Sequence, residues 1–358
     1  IREKYIIKYN IYIYIYIYMI DSTCANIINK ILYNQCRNNQ CRNNQTLRMQ
    51  SSYYLDTPTI SSIYKKFIED INQDVFGLKI IGKGPGGYVP VTDTEKAIIN
   101  GELDCAYTGL GYSIQQSEIL ELYTSVPFGF PGDAYISYIL HGGGLDRLNQ
   151  VGAELGLYYY PMALLPPETG GWFNKEIKNT SDFKNIRMRI YGIGRSIIEM
   201  LGGKGIFLAQ NDIIPAVNAG LVDAVEFSTI EIDDHLGLPS IFKYWYSPSW
   251  NQYSTILYFV INLKVWNNLS QAQRDSIHEI LLANLYNKYI ENNRTQYNYL
   301  IKYENKLRKF PPNVLRDMKS AFKKILDENK NLKNEYYNMK DYVDKYLTYE
   351  KIMHIDNV

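Results

Sequence analysis

AIINGELDCAYTG, residues 97–109, aligns without a gap with AVNAGLVDAVEFS, residues 216–228. In each stretch, a helical segment stops at a glycine, and a short apolar strand follows, with a polar residue at its end. Asp104 and Asp223 occupy the same position of this echo. The echo is short and chance could produce it, but the simplest interpretation is two similar α/β lobes in one chain.

The flanking sequence supports an α/β architecture. LRMQSSY (47–53) and LKIIG (78–82) are typical of short strands, and ISSIYKKFIEDI (60–71) between them has the periodicity of an amphipathic helix. Strands that alternate with helices favour a parallel sheet. YYYPMALL (158–165) and TILYFVINLKVW (255–266) are apolar enough to be the two crossings between the lobes, which would form a hinge.

These segments divide the chain into three parts. Residues 46–165 together with 263–345 form a predicted first lobe with C-terminal helices, and residues 166–262 form a predicted second lobe. Residues 1–45 contain the alternation IYIYIYIY and the duplicated pentad CRNNQ, which are low-complexity patterns. They are interpreted as a translated simple repeat or a misplaced start, the alternative being a degenerate secretory signal.

Composition excludes several function classes. The chain has 358 residues, 46% of them apolar, and a net charge of +1, so its bulk electrostatics do not favour nucleic acid as a partner. It has no run of roughly 20 apolar residues, which a spanning helix needs. The four cysteines and four histidines fit no common zinc spacing and no Cys–His or Ser–His–Asp arrangement.

An arginine stands out in RMRIYGIGR, residues 187–195. The echo extends to LRMQ (47–50) against IRMR (186–189), so Arg187 corresponds to Arg48, whereas Arg189 has no basic counterpart. Arg189 and Glu226 both lie near the carboxyl ends of predicted strands, where open α/β sheets bind ligands. Arg189 could grip a carboxylate with its planar guanidinium or form an ion pair within its own lobe, and the pattern does not decide between them.

The glycine turn of the same stretch, GIGR, follows a strand and opens a helix. A dinucleotide fingerprint would need a third glycine where the chain has Ile197, so that motif is rejected. Glycines at a helix start still expose backbone N–H groups, which favour an anion.

Two carboxylates and an amide complete the candidate site. Glu168 lies at the predicted hinge in PPETGGWF (166–173), Glu226 ends the echo strand, and Gln252 lies in KYWYSPSWNQYS (243–254). Two carboxylates near one arginine could pair with it and with amides, or they could hold a cation. Ligands that are all oxygens would suit calcium or sodium better than zinc. As an acid/base pair they would instead suit an enzyme, although no nucleophile accompanies them.

The motifs together resemble a known family. The segments that carry the resemblance span about residues 46–345 and are GGWFNKEI (171–178), RMRIYGIG (187–194), DIIPAVNAGLVDAVEFS (212–228) and YSPSWNQYSTILYFVINLKVW (246–266), with VPFGF (126–130) and HGGGLDRLNQ (141–150) in the same order. They are similar to the solute-binding proteins of TRAP (tripartite ATP-independent periplasmic) transporters, in the branch associated with 2-oxo acids, mannitol or chloroaromatic compounds.

The resemblance implies a two-lobe class II periplasmic-binding-protein fold, with hinge strands and long C-terminal helices. It implies a periplasmic receptor, not an enzyme, that closes on a small organic anion and delivers it to the TRAP membrane permease subunits. A homodimer through the helical tail would match some relatives. The remaining alternatives are a two-lobe enzyme acting on a small carboxylate and a degenerate homologue that no longer serves transport.

For the site, the resemblance implies that Arg189 anchors the substrate carboxylate and that Glu226 contacts the ligand or a cation. Relatives that carry Ca²⁺ or Na⁺ with the ligand place Gln at the position of Glu168 and Glu at the position of Gln252, so the two types are exchanged here. Glu168, Glu226 and Gln252 are therefore the candidate metal ligands. The remaining predicted ligand contacts are aromatic: Phe227, Trp250, Tyr107 and Tyr112.

Overall fold

The computed structural model of the chain describes residues 45–73, 77–110 and 118–353. The predicted low-complexity segment therefore lies almost entirely outside the described residues, and so does Tyr112. The described strands are β1 (Gln45–Ser51), β2 (Leu78–Lys83), β3 (Cys105–Thr108), β4 (Leu157–Leu165), β5 (Trp172–Phe173), β6 (Arg187–Arg189), β7 (Lys204–Ile206), β8 (Ala224–Val225), β9 (Tyr244–Ser247), β10 (Thr255–Asn262) and β11 (Leu307–Lys309).

Helices cover most of the remaining described chain. They are α1 (Ile60–Gln73), α2 (Thr94–Ile99), α3 (Ile119–Thr124), α4 (Gly132–His141), α5 (Gly144–Leu155), α6 (Gly192–Met200), α7 (Gln210–Asn218), α8 (Ile230–His235), α9 (Leu238–Ile241), α10 (Leu263–Asn268), α11 (Gln271–Lys302), α12 (Pro312–Glu328) and α13 (Lys330–Met353). None of the helices in the described part of the chain combines the length and the apolar character that crossing a membrane requires.

The first sheet has five strands in the order β2-β1-β3-β10-β4. β1 pairs in parallel with β2 and β3, while β10 runs antiparallel to β3 and β4. The strands and the helix predicted at 47–53, 78–82 and 60–71 are all present. Every residue of β10 is buried, which explains why its sequence is continuously apolar rather than alternating.

The second sheet has six strands in the order β11-β9-β5-β8-β6-β7. Its centre repeats the centre of the first sheet, because β6 pairs in parallel with β7 and β8 as β1 does with β2 and β3. The aspartates of the echo form the same contact in both sheets: Arg48 Nε lies 2.9 Å from Asp104, and Arg187 Nη2 lies 2.7 Å from Asp223. The predicted α/β fold with two similar halves is confirmed.

The chain passes between the sheets three times. The predicted crossing segments 158–165 and 255–266 contribute β4 and β10, which pair with each other in the first sheet, and the passages lie just after Leu165 and just before Thr255. The third passage was not predicted, because the sequence division kept residues 263–345 with the first lobe. β11 instead joins the second sheet beside β9, where Phe310 is buried and stacks on Tyr246 at 4.5 Å between ring centroids.

Candidate functional site

A small cavity of about 20 Å³ lies between the two sheets. Parts of both sheets line it, together with the passages after Leu165 and before Thr255. Its lining residues are Tyr53, Ile60, Leu165, Glu168, Arg189, Tyr191, Phe227, Ser228, Gln252, Thr255 and Leu257. In so small a space, each polar group must find a partner among the lining side chains or in a bound molecule, because an unpaired buried polar group is costly.

Arg189 is the cation of this site. It is the last residue of β6, and its side chain is 1% exposed. Its Nε donates to the Leu208 carbonyl at 3.1 Å, and its Nη1 donates to the backbone carbonyl of Glu226. These two bonds fix the guanidinium plane, and within the described chain Nη2 has no hydrogen-bond partner. An amino group is therefore available to an anion in the cavity.

Glu226 lies beside this guanidinium because β6 and β8 are parallel neighbours. It directly follows β8, and its N–H donates to the Arg189 carbonyl at 2.9 Å. Its carboxylate is fully buried, with Oε2 at 3.8 Å from Arg189 Nη1 and without a hydrogen-bond partner in the described structure. Burial raises the pKa of Glu226, and the charge of Arg189 opposes that rise. Arg189 and Glu226 both lie at strand ends, as predicted, and the parallel pairing of the two strands brings them together.

Glu168 adds a second buried carboxyl to the site. Burial, followed by the charge of Glu226, holds the pKa of Glu168 well above its usual range. Two carboxylates close together in a nearly dry site repel each other, so a proton, a cation or a donor must lie between them.

Gln252 supplies such a donor. One terminal atom of its amide lies 2.8 Å from Glu226 Oε1 and 3.1 Å from Glu168 Oε2. The other terminal atom lies 2.8 Å from the Tyr191 hydroxyl and 3.1 Å from the Thr255 hydroxyl. With the nitrogen towards the carboxylates, the amide donates to both of them and accepts from both hydroxyls, so both ends of the amide are satisfied.

A half turn of the same amide changes what the site can hold. The amide oxygen then faces two carboxylate oxygens, an arrangement that is favourable around a hard cation. The hydroxyls of Tyr191 and Thr255 can accept as well as donate, so they satisfy the amide nitrogen in this orientation too. No cluster of three or more Asp, Glu, His or Cys side chains suited to a metal occurs among the residues that the structure describes. Glu168, Glu226 and Gln252 nonetheless present the oxygen-only ligands that suit calcium or sodium.

Of the three predicted aromatic contacts that the structure describes, one lines the cavity and two do not. Phe227 lines it and lies over the Arg189 guanidinium, 4.8 Å from ring centroid to Cζ. Tyr107 and Trp250 are buried but do not line the cavity. Tyr107 packs against Tyr53, with 6.0 Å between ring centroids, and Trp250 donates to the Gly170 carbonyl at 3.2 Å.

Sequence reasoning missed several lining residues. Tyr191 could have been found, because it follows the predicted strand by two residues and precedes the glycine turn. Tyr53 follows β1 in the same way, so its position at a strand end is also a usable signal. Ser228 and Thr255 have no comparable signal in the sequence.

The anion at the glycine turn is a carboxylate of the protein itself. Glu121 of α3 accepts a hydrogen bond from the Ile193 N–H in the first turn of α6, and burial raises its pKa to about 7. Gly192 has a φ of +63°, and a Cβ there would lie 3.1 Å from Glu121 Oε2. The expectation of an anion at this helix start is met by Glu121.

Comparison with known proteins identifies the class. Residues 90–331 match the DctP profile, described as bacterial extracellular solute-binding protein, family 7. The chain therefore belongs to this family of solute-binding proteins. Over 197 residues it is 32% identical to a monocarboxylate 2-oxoacid-binding periplasmic protein of Nostoc sp. (strain PCC 7120). That match covers 55% of this chain and 54% of the relative, so the chain spans about half the length of the curated relative that it matches.

Solved structures of TRAP solute-binding proteins share the fold. One from Bordetella bronchiseptica, a dimer with calcium and picolinate in one active site and the other site apo, has a TM-score of 0.81 at 24% identity, over 86% of this chain and 94% of that one. One from Pseudoalteromonas atlantica, with bound sodium and pyruvate, has a TM-score of 0.81 at 20% identity, over 86% and 96%. These likenesses confirm the predicted two-lobe binding-protein fold.

Proposed function

We propose that this chain is the extracytoplasmic receptor of a TRAP transporter and binds a small organic carboxylate, such as a 2-oxo acid, in the cavity between the sheets. The observation that carries the proposal is the Arg189 guanidinium, which is buried at the cavity with Nη2 unpartnered within the described chain. A buried charge of this kind is stabilised by an anion that reaches it. Family membership and the 2-oxo acid relative point to the same class of ligand.

Each lining group has a role in this proposal. Arg189 holds the carboxylate of the ligand, and Phe227 and Tyr53 cover its apolar part. Glu168 and Gln252 line the polar part of the cavity, and together with Glu226, which lies beside Arg189, they would hold a Ca²⁺ or Na⁺ ion bound with the ligand. When bound, such an ion supplies positive charge that lowers the repulsion between the carboxylates and the anionic ligand. Tyr112 remains a predicted contact, whereas Tyr107 and Trp250 are buried without lining the cavity.

The proposal includes location, partners and domain division. The receptor would work in the periplasm and hand its ligand to the membrane permease subunits, with a homodimer as an expected assembly. We keep residues 166–262 as the second lobe and 46–165 with 263–345 as the first, with two changes: β10 (Thr255–Asn262) belongs to the first sheet, and β11 of the tail joins the second. We propose binding rather than catalysis, in keeping with the solute-binding family to which the chain belongs.

A thermal-shift screen of the full chain tests the function. The panel contains pyruvate and longer 2-oxo acids, hydroxy acids, aromatic carboxylates and sugar alcohols, each with calcium, with sodium or with neither ion. A ligand that binds the native state raises the melting temperature by mass action. We expect the largest rise with a small carboxylate. A folded chain that responds to none of the acids contradicts the proposal, and turnover of a bound acid would favour the enzyme instead.

A further inference from the structure

The loop of residues 53–59 leads from β1 into α1, and its residues also form hydrogen bonds with α7 and α8, which follow strands of the second sheet. Its first residue, Tyr53, lines the cavity, and so does Ile60, the residue that immediately follows the loop. Both ends of the loop therefore contribute to the wall of the cavity. The position of the loop determines how closely that wall approaches whatever the cavity holds.

Gln210, on a helix of the second-sheet region, forms hydrogen bonds with this loop. It is the first residue of α7, and it is 4% exposed. Its Nε2 donates to Thr57 Oγ1 at 2.8 Å, and its Oε1 accepts from the Tyr54 N–H at 3.2 Å. A backbone N–H can only donate, so the amide has one satisfied orientation, unlike that of Gln252. This side chain therefore makes a specific contact between the two halves of the molecule.

A second contact and a strained residue occur in the same loop. The Thr59 hydroxyl lies 2.9 Å from Glu231 Oε2 of α8 and 3.0 Å from Asn292 Oδ1 of α11. Thr59 has a φ of +63°, in a region that β-branched residues avoid and that persists only where the surroundings enforce it. The loop is thus held in an unfavourable backbone conformation by contacts with α8 and α11.

We propose that Gln210 is a positioning residue of the binding site. Its hydrogen bonds hold the loop of residues 53–59 in place, so that Tyr53 and Ile60 stay in contact with the bound ligand. The inference rests on the proposed function and extends it to the rate of release. Because the contacts of Gln210 join the two halves of the molecule beside the cavity, we expect their loss to speed dissociation and to leave the first encounter with the ligand nearly unchanged.

The experiment measures pyruvate dissociation by stopped flow, with calcium present, for the full chain and the variants Gln210→Ala and Thr57→Val. Loss of two buried neutral hydrogen bonds corresponds to dissociation that is about 5- to 100-fold faster in Gln210→Ala. Thr57→Val keeps the side-chain shape and removes only one of the two bonds, so it gives a smaller acceleration. In the double variant, Thr57→Val adds little to Gln210→Ala, because the two residues share one contact.

Gln50→Ala is the matched control. Gln50 is a fully buried amide that donates to the Val89 carbonyl at 2.9 Å and to Thr94 Oγ1 at 3.0 Å, within the first-sheet region alone. Its loss lowers the melting temperature but leaves the dissociation rate of bound pyruvate unchanged. This difference separates a positioning role from a general loss of stability.

The outcomes are distinct. Faster release in Gln210→Ala, with a non-additive double variant and an unaffected Gln50→Ala, supports the proposal. Release at the wild-type rate in Gln210→Ala and in Thr57→Val overturns it and leaves the proposed function intact, and equal acceleration in Gln50→Ala also overturns it. A wild-type chain that binds neither pyruvate nor another acid of the panel overturns the proposed function and this inference together.

Discussion

Replacement of Arg189 by alanine removes the only cation that lines the cavity between the sheets, in the part of the chain that the structure describes. The substitution has two separate effects, because this side chain faces the cavity and also supports the site. It deletes the group proposed to hold the ligand carboxylate. It also leaves the Glu226 carboxyl without its buried counter-charge and the carbonyls of Leu208 and Glu226 without their guanidinium donors.

The two effects have different magnitudes. A hydrogen bond to a charged group contributes about 1.5–3 kcal/mol, so the affinity for a carboxylate should fall roughly 10- to 150-fold. Breaking a buried ion pair costs up to about 3–5 kcal/mol of folding free energy. We expect a value near or below 3 kcal/mol, because Glu226, whose pKa is already raised, takes up a proton when the guanidinium is absent.

The matched control is Arg187→Ala, two residues earlier on the same strand. The Arg187 side chain is 41% exposed and pairs with Asp223, away from the cavity, so its loss should change the affinity less than twofold. Isothermal titration with pyruvate or the best acid of the screen measures the affinity, and urea unfolding measures the stability. If Arg189→Ala binds as tightly as the wild type, the argument for an anion at this guanidinium is wrong.

Three further predictions concern the buried carboxyls. Gln252→Glu places a third carboxyl beside Glu168 and Glu226. We therefore expect a lower melting temperature without divalent ions, and a larger rise of the melting temperature with calcium, than in the wild type. Equal calcium responses would contradict the assigned ligand set. Burial raises the pKa of Glu121 from 4.5 to about 7. The protonated carboxyl therefore contributes roughly 3 kcal/mol to the free energy of unfolding below pH 4.5, and this contribution is lost as the pH rises through 7. Glu121→Gln should therefore gain stability relative to the wild type between pH 5 and 8 in thermal melts, and parallel pH profiles would refute the assignment. Asp233, whose pKa is raised to about 8, accepts from Trp172 Nε1 at 2.6 Å and from Thr169 Oγ1 at 2.9 Å. Asp233→Asn should therefore lower the free energy of unfolding in urea by about 1–3 kcal/mol and shift the Trp172 fluorescence. An unchanged spectrum would mean that the indole keeps its hydrogen-bond partner.

Local sequence was sufficient for the parts of this fold that local chemistry controls. An arginine on one strand and an aspartate at the start of the next recur in both halves, and they form the same contact in both sheets. Parallel neighbouring strands end at the same edge of a sheet, so the meeting of Arg189 and Glu226 could be predicted from their positions at strand ends.

Tertiary packing decided which aromatic residues reach the cavity. Tyr107 is at a strand end, as predicted, but alternation along the strand turns its ring into the core against Tyr53, and Tyr53 lines the cavity instead. Trp250, in the segment between β9 and β10, instead donates to the Gly170 carbonyl. The choice between the two faces of a strand depends on what packs against each face, and the sequence alone does not specify that.

The sequence by itself determined the two-lobe α/β class, the buried arginine and the carboxylates near it, because each follows from local periodicity and from residue type at strand ends. Only the tertiary structure decided that Glu121 occupies the glycine turn, that Gln252 lies between two carboxyls, and that Gln210 reaches the loop of residues 53–59. The physical reason is the same in all three cases. Each contact joins residues more than 25 positions apart, and the side-chain conformation that makes it is fixed by the packing of one sheet against the other.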